Sequence, residues 1–409
     1  MAKDRETVVG VDIGSSKVAV AIAEVHEAVP VIIGRGLAEN GGMRKGVVVD
    51  IDATARAISA AVQAAQRMAG AAVRSAVISI SGAHLASLNN RGVVAVTRPD
   101  REITAADVHR VLEAARVVHI SPDREVLHII PREFAVDGYD GVHDPQGMIG
   151  TRLEVEAHMI TGAAASVQNL LKAAQRCGLE VDDVYVAALA SAEAVLTPAE
   201  RDLGVLLADI GAGTTDVVLY DSGAPWYTSA LPVGGGHLTA DIAMGLRLPL
   251  PLAEEMKLKH ACASAAAAPD EIFEVPNPSG RGVREVPAKV LAGIVEPRAQ
   301  EMIVLLAREI ERSGYRSMIP SGLVLTGGGA RLAGLAEMAS EILDMPCRLA
   351  GPRVIGSAVA AEVSGPDFAT VVGLVHRGAY DYARTAAAAA QAEGGTFFQR
   401  LRRWLRELF

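Results

Sequence analysis

Two stretches of the chain combine aspartate, glycine and hydroxyl side chains in a pattern that suits phosphate chemistry. The first runs VVGVDIGSSKVAVAIAEV from Val8 to Val25, and the second runs LGVLLADIGAGTTDVVLYD from Leu203 to Asp221. Each is an apolar strand that ends in Asp-Ile-Gly, then a turn of small residues and a second apolar strand, which predicts a β-hairpin. A nearly bare tip of this kind presents backbone N–H groups that can bind phosphate.

The residue types at the two tips predict two roles: the aspartates suit a metal ion, and the small residues suit phosphate. Asp12 and Asp209 precede the tips and are better placed to hold water around Mg²⁺, because this ion keeps several of its waters in proteins. Two such hairpins far apart in one chain predict two similar lobes that face one nucleotide. The tip residues expected to contact phosphate are Gly14, Ser15, Ser16, Gly211, Gly213, Thr214 and Thr215.

Further glycine-rich turns suit contact with a nucleoside. The segment GLVLTGGGARLAGL predicts an apolar strand that ends at three glycines and is followed by a helix. Only glycine lets the backbone lie flat against a purine or a sugar before it turns into a helix. The three glycines are Gly327, Gly328 and Gly329, and another glycine turn after the second hairpin contains Gly234 and Gly235.

Three charged residues on predicted helices have two possible roles each, one in the nucleotide site and one as ordinary surface residues. Glu193 lies on a helix just before the second hairpin, where a carboxylate can orient a water for attack on a terminal phosphate, or can simply be solvated. Glu254 and Lys257 are three residues apart on the helical segment AEEMKLKH. Their shared face suits a ribose or an adenine edge, but taken alone this spacing is more typical of an exposed ion pair.

The bulk composition bounds the class of protein. The chain has 409 residues, which is too long for one core, so two or more domains are expected. Half of the residues are hydrophobic, which indicates a well-packed protein. The net charge of -9 argues against general nucleic-acid binding. The N-terminus has no apolar signal core, no run reaches spanning length, and the three cysteines are typical of buried thiols in a reducing cytoplasm.

The stretch from Gly82 to Ile160 interrupts the order of strands, helix and strand that is predicted for the first lobe. It predicts a strand, a helix that begins after Thr104, and two further strands separated by a turn region rich in glycine, aspartate and proline. We therefore predict a small α+β domain inserted into the first lobe.

The end of the chain predicts a membrane-binding helix. The segment YDYARTAAAAAQAEGG is interpreted as a linker, and TFFQRLRRWLRELF follows it. In that last segment the apolar residues recur at helical spacing on one face and arginines occupy the rest, which is typical of a helix lying in the lipid interface. Packing of this helix on its own domain is the alternative. The expected membrane contacts are Phe397, Phe398, Arg400, Leu401, Arg403, Trp404, Leu405 and Leu408.

Together, these motifs resemble those of the actin-like ATPases. Their order along the whole chain is similar to that of the bacterial cell-division FtsA family, including MRKGVVVDIDA, VLHIIPREFAVDG, GLEVDDVYVAALASAEAVLT, AEEMKLKHACA, IVEPRAQEM and RLRRWLRELF. The resemblance implies an α/β, actin-like two-lobed ATPase fold with an inserted α+β subdomain and a C-terminal amphipathic helix.

The resemblance also implies a division of the chain. Lobe I comprises residues 1–82 with 163–192 and 365–380, the inserted subdomain 83–162, the core of lobe II 193–237 and 301–364, the small subdomain of lobe II 238–300, a flexible linker 381–395, and the membrane-targeting helix 396–409.

In function, the resemblance implies a protein that binds ATP and Mg²⁺ with at most slow ATPase activity. It implies head-to-tail protofilaments, peripheral attachment to the cytoplasmic face of the inner membrane at the division septum, and recruitment of later division proteins. The C-terminal peptide of the tubulin-like protein FtsZ is expected to dock near Arg298 and Met302. By motif, Lys17 joins the phosphate contacts, Glu193 occupies the position of a water-orienting residue, and the nucleoside contacts are Gly234, Gly235, Glu254, Lys257, Gly327, Gly328 and Gly329.

Two other functions use the same nucleotide core. A small-molecule kinase would need a substrate-facing aspartate in the cleft and would have no use for an interfacial tail. A pilus-assembly actin homologue would share the core and an inserted domain but would not call for the basic terminal helix.

Overall fold

The computed structural model describes residues 7–26, 29–277, 282–354, 356–357 and 359–393, with side chains through residue 384. In this part of the chain the polypeptide forms two five-stranded sheets, a four-stranded sheet and two short two-stranded ribbons. No helix of the described residues is long and apolar enough to cross a membrane.

Lobe I is built around a sheet with strand order β11-β6-β1-β2-β3. Its central strands are apolar on both sides because helices cover both faces. Helix α1 packs against Gly34 and Gly36 of β3, whereas α11 packs against Gly10 of β1 on the opposite face. The elements are β1 Thr7–Ile13, β2 Lys17–His26, β3 Val29–Glu39, β4 Met43–Arg44, β5 Val47–Val48, α1 Ile51–Ala69, β6 Ser75–Ile80, α3 Ala164–Arg176, β11 Glu180–Val186, α4 Ala187–Val195 and α11 Ala369–Glu393.

The inserted domain has its own sheet, with strand order β7-β10-β8-β9, and its own core. Helix α2 buries Val111 and Ala115 against Phe134, Leu153 and Val155 of the sheet. Helix α2 begins after Thr104, where the side chain of Asp107 accepts hydrogen bonds from the cap residue. The elements are β7 Ala86–Ala95, α2 Ala105–Arg116, β8 Arg124–Val136, β9 Tyr139–Val142 and β10 Arg152–Ala163.

Lobe II repeats the plan of lobe I, with strand order β14-β13-β12-β17-β18. A short subdomain of α6, α7, β15, β16 and the first part of α8 extends from this sheet. The elements are α5 Pro198–Leu203, β12 Val205–Ile210, β13 Thr215–Asp221, β14 Ala224–Leu231, α6 Gly235–Leu246, α7 Leu250–His260, β15 Ile272–Pro276, β16 Val283–Pro287, α8 Ala288–Ser313, β17 Leu323–Thr326, α9 Leu335–Leu343, β18 Cys347–Leu349 and α10 Ala360–Val363, with 3₁₀ turns at Arg316–Met318, Gly328–Arg331 and Pro366–Phe368.

The two lobes share one topology, which confirms the predicted two-lobed α/β fold. In each, a hairpin strand (β1 or β12) pairs antiparallel with the next strand and parallel with a strand from later in the chain (β6 or β17). The shared order brings the two Asp-Ile-Gly turns to the same edge of their sheets. This edge is where ligands bind in open α/β sheets.

The structure differs from the linker predicted over residues 381–395. The backbone is helical through Glu393, as a direct continuation of α11. Alanine has the highest intrinsic helix propensity, so an alanine run that follows a packed helix extends it rather than ending it. The predicted membrane helix at 396–409 lies outside the described residues.

Candidate functional site

The two hairpin tips face each other across a cleft between the lobes. A methyl group at Gly213 would lie 2.7 Å from Ser15 Oγ, so only glycine permits so close an approach of the second tip to the first. An equivalent backbone hydrogen bond closes each tip. The amide of Gly14 donates to the carbonyl of Lys17, and the amide of Gly211 donates to the carbonyl of Thr214, each at 2.9 Å. These two amides, of Gly14 and Gly211, are therefore used within the turns rather than directed at a ligand.

The cleft contains a cavity of about 350 Å³ that is lined by most of the predicted site residues. Thr215 and Gly234 lie just behind its wall, with the Thr215 hydroxyl bound to the carbonyl of Val233 at 2.9 Å. The predicted residues that line the cavity are Asp12, Gly14, Ser15, Ser16, Lys17, Asp209, Gly211, Gly213, Thr214, Gly235, Glu254, Lys257, Gly327, Gly328 and Gly329.

Asp12 and Asp209 both line this cavity, where Asp209 is buried and Asp12 is half-buried. Asp12 accepts a hydrogen bond from Ser79 Oγ at 2.7 Å. Asp209 accepts hydrogen bonds from the hydroxyls of Ser191 and Thr370. Burial raises the pKa of Asp12, and burial together with the charge of Asp12 raises the pKa of Asp209 to about 6 against the hydrogen bond from Ser191. The two carboxylates therefore repel each other in the absence of a cation.

A divalent cation would relieve this repulsion, and the donors present fit hydrated Mg²⁺. The described residues contain no group of three or more His, Cys, Asp or Glu side chains able to hold a metal by themselves. A pair of carboxylates beside a phosphate cradle matches the way Mg²⁺ is held, through its waters, one or two carboxylates and substrate phosphates.

A third carboxylate, the buried Asp216, also lines the cavity, and the sequence reasoning missed it. Asp216 accepts hydrogen bonds from Ser81 Oγ at 2.6 and 2.8 Å and from Thr214 Oγ1 at 3.0 Å. Burial, opposed by the Ser81 hydrogen bond and reinforced by the charge of Asp209, raises the pKa of Asp216 to about 7. The signal in the sequence was an ionisable residue within the apolar strand that follows the second tip.

The end of the cavity where a nucleoside is predicted to bind is formed by lobe II. Lys257 Nζ lies 2.7 Å from Glu254 Oε2 and donates to Thr239 Oγ1 at 2.9 Å and to the carbonyl of Gly235 at 3.2 Å. The side chain of Lys257 is only 13% exposed, whereas that of Glu254 is 43% exposed, so the lysine is the more firmly held member of the pair. At Gly327, φ is +86° and a methyl group would lie 2.3 Å from Asp209 Oδ1, which explains the requirement for glycine.

Glu193 lies outside the cavity. Its Oε2 accepts hydrogen bonds from both terminal nitrogens of Arg201 at 3.2 Å. Helix α4 contributes Ala187 to the cavity and Ser191 to Asp209. A helix turns about 100° per residue, so Glu193 points about 200° away from Ser191. The structure therefore does not bring Glu193 to the position of a water-orienting residue.

Comparison with known proteins places the chain in a family. The family model "Cell division protein FtsA" matches residues 206–373, and "SHS2 domain inserted in FTSA" matches residues 82–161. The chain is 44% identical to Cell division protein FtsA of Pseudomonas aeruginosa over 91% of this chain and 89% of the relative. This chain belongs to the FtsA family. It is also 39% identical to the FtsA of Neisseria meningitidis serogroup B, over 97% of each chain, and 36% identical to that of Escherichia coli K12, over 100% of this chain and 99% of the relative.

Solved structures outside the FtsA family share the fold. A PilM-PilN type IV pilus biogenesis complex aligns with a TM-score of 0.66 at 20% identity, over 92% of this chain and 99% of that one. MreB5 of Spiroplasma citri bound to AMPPNP aligns with a TM-score of 0.55 at 12% identity, over 95% and 100%. Both likenesses concern the fold alone, whereas the identities of 36–44% with FtsA relatives extend over nearly the whole chain. Membership of the FtsA family therefore rests on those relatives.

The predicted partner residues of this FtsA-family chain have different placements. Arg298 lines a shallow groove of about 500 Å³ between α6 and α8, where Arg298 Nε donates to Asp241 Oδ2 at 2.6 Å. Met302 is 3% exposed and belongs to the core of lobe II, so its prediction as a surface contact is wrong. It lies four residues after Arg298, about 40° further around α8, among the residues of this helix that pack into the core. The exposed methionine of the groove is Met244 on α6, with 74% exposure.

As pH rises from about 5 to 8, the buried Asp209 and Asp216 are expected to lower the thermal midpoint of the nucleotide-free protein, against the opposite contribution of the buried His128 and His158, whose pKa values burial lowers to about 4 and about 3. The raised pKa values of Asp209 (about 6) and Asp216 (about 7) mean that the folded protein retains protons there which the unfolded chain releases near pH 3.8. This contribution to stability is complete below the unfolded pKa and is lost as pH rises through the folded pKa. Differential scanning calorimetry across this range measures the effect.

The variant Asp216→Asn provides the comparison for this pH profile. Because asparagine does not titrate, the midpoint of the variant is expected to rise relative to that of the wild type between about pH 6 and 8, while the contribution of the histidines is the same in both proteins. Parallel pH profiles of the two midpoints over this interval would contradict the raised pKa of Asp216.

Proposed function

We propose that this FtsA-family cell division protein binds ATP with Mg²⁺ in the interlobe cleft, polymerises on the cytoplasmic face of the inner membrane at the septum, and tethers the FtsZ ring there while recruiting later division proteins. The observation that supports this most is the pair of matched hairpins, which enclose one cavity lined by an aspartate from each hairpin, Asp12 and Asp209. A cavity of this kind suits a triphosphate with a hydrated divalent cation.

Each part of the cavity has a role in this proposal. The amides and hydroxyls of Ser15, Ser16 and Thr214 bind phosphate oxygens, and Lys17 supplies a positive charge. Asp12 and Asp209 hold the waters of Mg²⁺, which when bound neutralises charge between the phosphates. Glu254, Lys257 and the glycine turn Gly327 to Gly329 receive the ribose and base.

Asp216 replaces Glu193 as the residue placed to orient an attacking water. It lines the cavity beside Thr214 and Ser81, whereas Glu193 is paired with Arg201 outside it. A general base works best with a pKa close to the working pH, and the pKa of Asp216 is raised to about 7. Because Asp216 is already held by two hydroxyls, we expect turnover to be slow.

The test of the whole proposal is electron microscopy on lipid monolayers that contain anionic lipid, with and without Mg·ATP. Filaments on the monolayer that depend on ATP and on residues 396–409 are the expected result. Absence of filaments, together with absence of ATP binding in calorimetry, would contradict the proposal. Rapid transfer of phosphate to sugars in a substrate screen would instead favour the kinase alternative.

The groove between α6 and α8 is the proposed docking site for the C-terminal peptide of FtsZ. It combines an exposed apolar side chain, Met244, with the charges of Arg298, Asp241 and Glu301. A peptide that lays apolar residues over Met244 and an acidic group near Arg298 would match this surface.

Replacing Met244 with aspartate is expected to weaken binding of an FtsZ C-terminal peptide about tenfold, because an exposed apolar anchor is lost and a negative charge is added. Fluorescence anisotropy with a labelled peptide measures the change. Met148→Asp in the inserted domain is the matched control, since Met148 is 40% exposed but lies on another domain. Equal affinities for the two variants would move the docking site elsewhere.

A further inference from the structure

Asp367 binds two cations of the cleft wall that belong to different lobes. Asp367 Oδ2 accepts a hydrogen bond from Lys17 Nζ at 2.8 Å, and its backbone carbonyl accepts a second one from the same amine at 3.0 Å. Asp367 Oδ1 lies 3.3 Å from Nη1 of Arg331. All three residues line the nucleotide cavity. Lys17 follows the tip of the lobe I hairpin, and Arg331 follows the glycine turn of lobe II, so Asp367 connects the lobes across the cleft.

Asp367 lies directly before α11, so its ion pairs are linked to the start of that helix. Asp367 lies in the 3₁₀ turn Pro366–Phe368, which leads without interruption into α11. The turn is also held by lobe II, since Gly327 donates to the carbonyl of Pro366 at 3.1 Å. Any change in the partners of Asp367 is therefore applied at the N-terminus of α11, the helix that runs toward the C-terminal end of the chain.

Lys17 has two competing partners once the cleft holds a phosphate. In the structure its charge is neutralised by Asp367, and its amine lies 5.0 Å from the centre of the Phe368 ring. A polyphosphate carries more negative charge than one carboxylate and occupies the cavity into which Lys17 reaches. The Asp367 side chain is only 19% exposed, so after losing Lys17 it keeps a cation only through Arg331.

Resting on the proposed ATP site, we infer that Asp367 holds Lys17 while the cleft is empty, yields it to the phosphates when nucleotide binds, and is then retained by Arg331 of lobe II. Asp367 thereby opposes nucleotide binding and reports occupancy to α11. The burial of the Asp367 carboxyl would raise its pKa, but the hydrogen bond and charge of Lys17 lower it overall, so the group is ionised in the empty cleft.

The test is calorimetric titration of Mg·ATP into the full-length protein and the variant Asp367→Asn. Asparagine keeps an acceptor for Lys17 and removes the competing charge. We expect the Kd for Mg·ATP to fall about three- to tenfold, which is the scale of a partly exposed ion pair. Glu362→Gln is the matched control. Glu362 lies five residues before Asp367, forms an ion pair with Arg35, and lies outside the cavity. Its Kd should stay within about twofold of the wild type.

A gain in affinity is a result that damage to the fold would not produce. In the background of Lys17→Met, the gain from Asp367→Asn is expected to disappear. An unchanged or raised Kd in a folded Asp367→Asn protein would overturn the inference while leaving the ATP site intact. Failure of the wild type to bind Mg·ATP would instead refute the proposed function.

Hydrogen exchange on the wild-type protein tests the inference about Asp367 even if the variant does not fold. We expect saturating Mg·ATP to change amide protection at residues 367–370, where the turn joins α11. Protection there that is identical with and without nucleotide, while the hairpin tips gain protection, would overturn the inference.

Discussion

Replacing Asp209 with asparagine is expected to lower the affinity for Mg·ATP by about 10- to 100-fold, as losses of groups that position a metal commonly do. Asp209 lies at the floor of the cleft, 7% exposed, where Ser191 and Thr370 donate to one of its oxygens. The amide keeps the shape and one acceptor but removes the negative charge that attracts the hydrated cation. Isothermal titration calorimetry with ATP and excess Mg²⁺ measures the change.

Two comparisons separate this role from a general effect on the fold. With ATP in the presence of a chelator, the wild type and Asp209→Asn should differ much less, because the charge of Asp209 acts through Mg²⁺. Glu193→Gln should bind Mg·ATP like the wild type, since Glu193 pairs with Arg201 outside the cavity. Equal Mg·ATP affinities for Asp209→Asn and the wild type would place the metal elsewhere.

Removal of residues 396–409 is expected to abolish co-sedimentation with vesicles that contain anionic lipid. Full burial of each large apolar side chain of this segment is worth roughly 1.5–3 kcal/mol, although an interface buries them only in part. Each arginine near an anionic surface adds about 1 kcal/mol. Ordering a short helix subtracts from this sum, so one copy binds weakly and a filament that presents many copies binds firmly.

The variant with Arg400→Ala and Arg403→Ala tests the electrostatic part of this anchor. It is expected to bind neutral vesicles like the full chain but to lose its preference for anionic ones, and the difference should shrink at high salt because surface charges are screened. If the truncated protein sediments with anionic vesicles as efficiently as the full chain, the membrane anchor is not in this segment.

The amino-acid sequence determined the nucleotide motifs because each is local. The tip of a hairpin places neighbouring residues together, so Asp12, Gly14 and Ser15 could be assigned to one site from their spacing alone. Periodicity likewise predicted the inserted domain, and two copies of one motif predicted two lobes, which the matching strand orders confirm.

Tertiary structure decided everything that depends on the direction of a side chain or on partners far apart in the chain. Glu193 and Ser191 lie on the same helix, yet only Ser191 faces Asp209. Met302 belongs to the buried face of α8 in the core of lobe II, whereas Arg298 on the same helix lines the groove. Lys17 and Asp367 are 350 positions apart and form an ion pair only because the second sheet and α11 close the cleft. Spacing in a sequence fixes which residues are neighbours along one element, whereas the packing of elements against one another fixes which charges share a cavity.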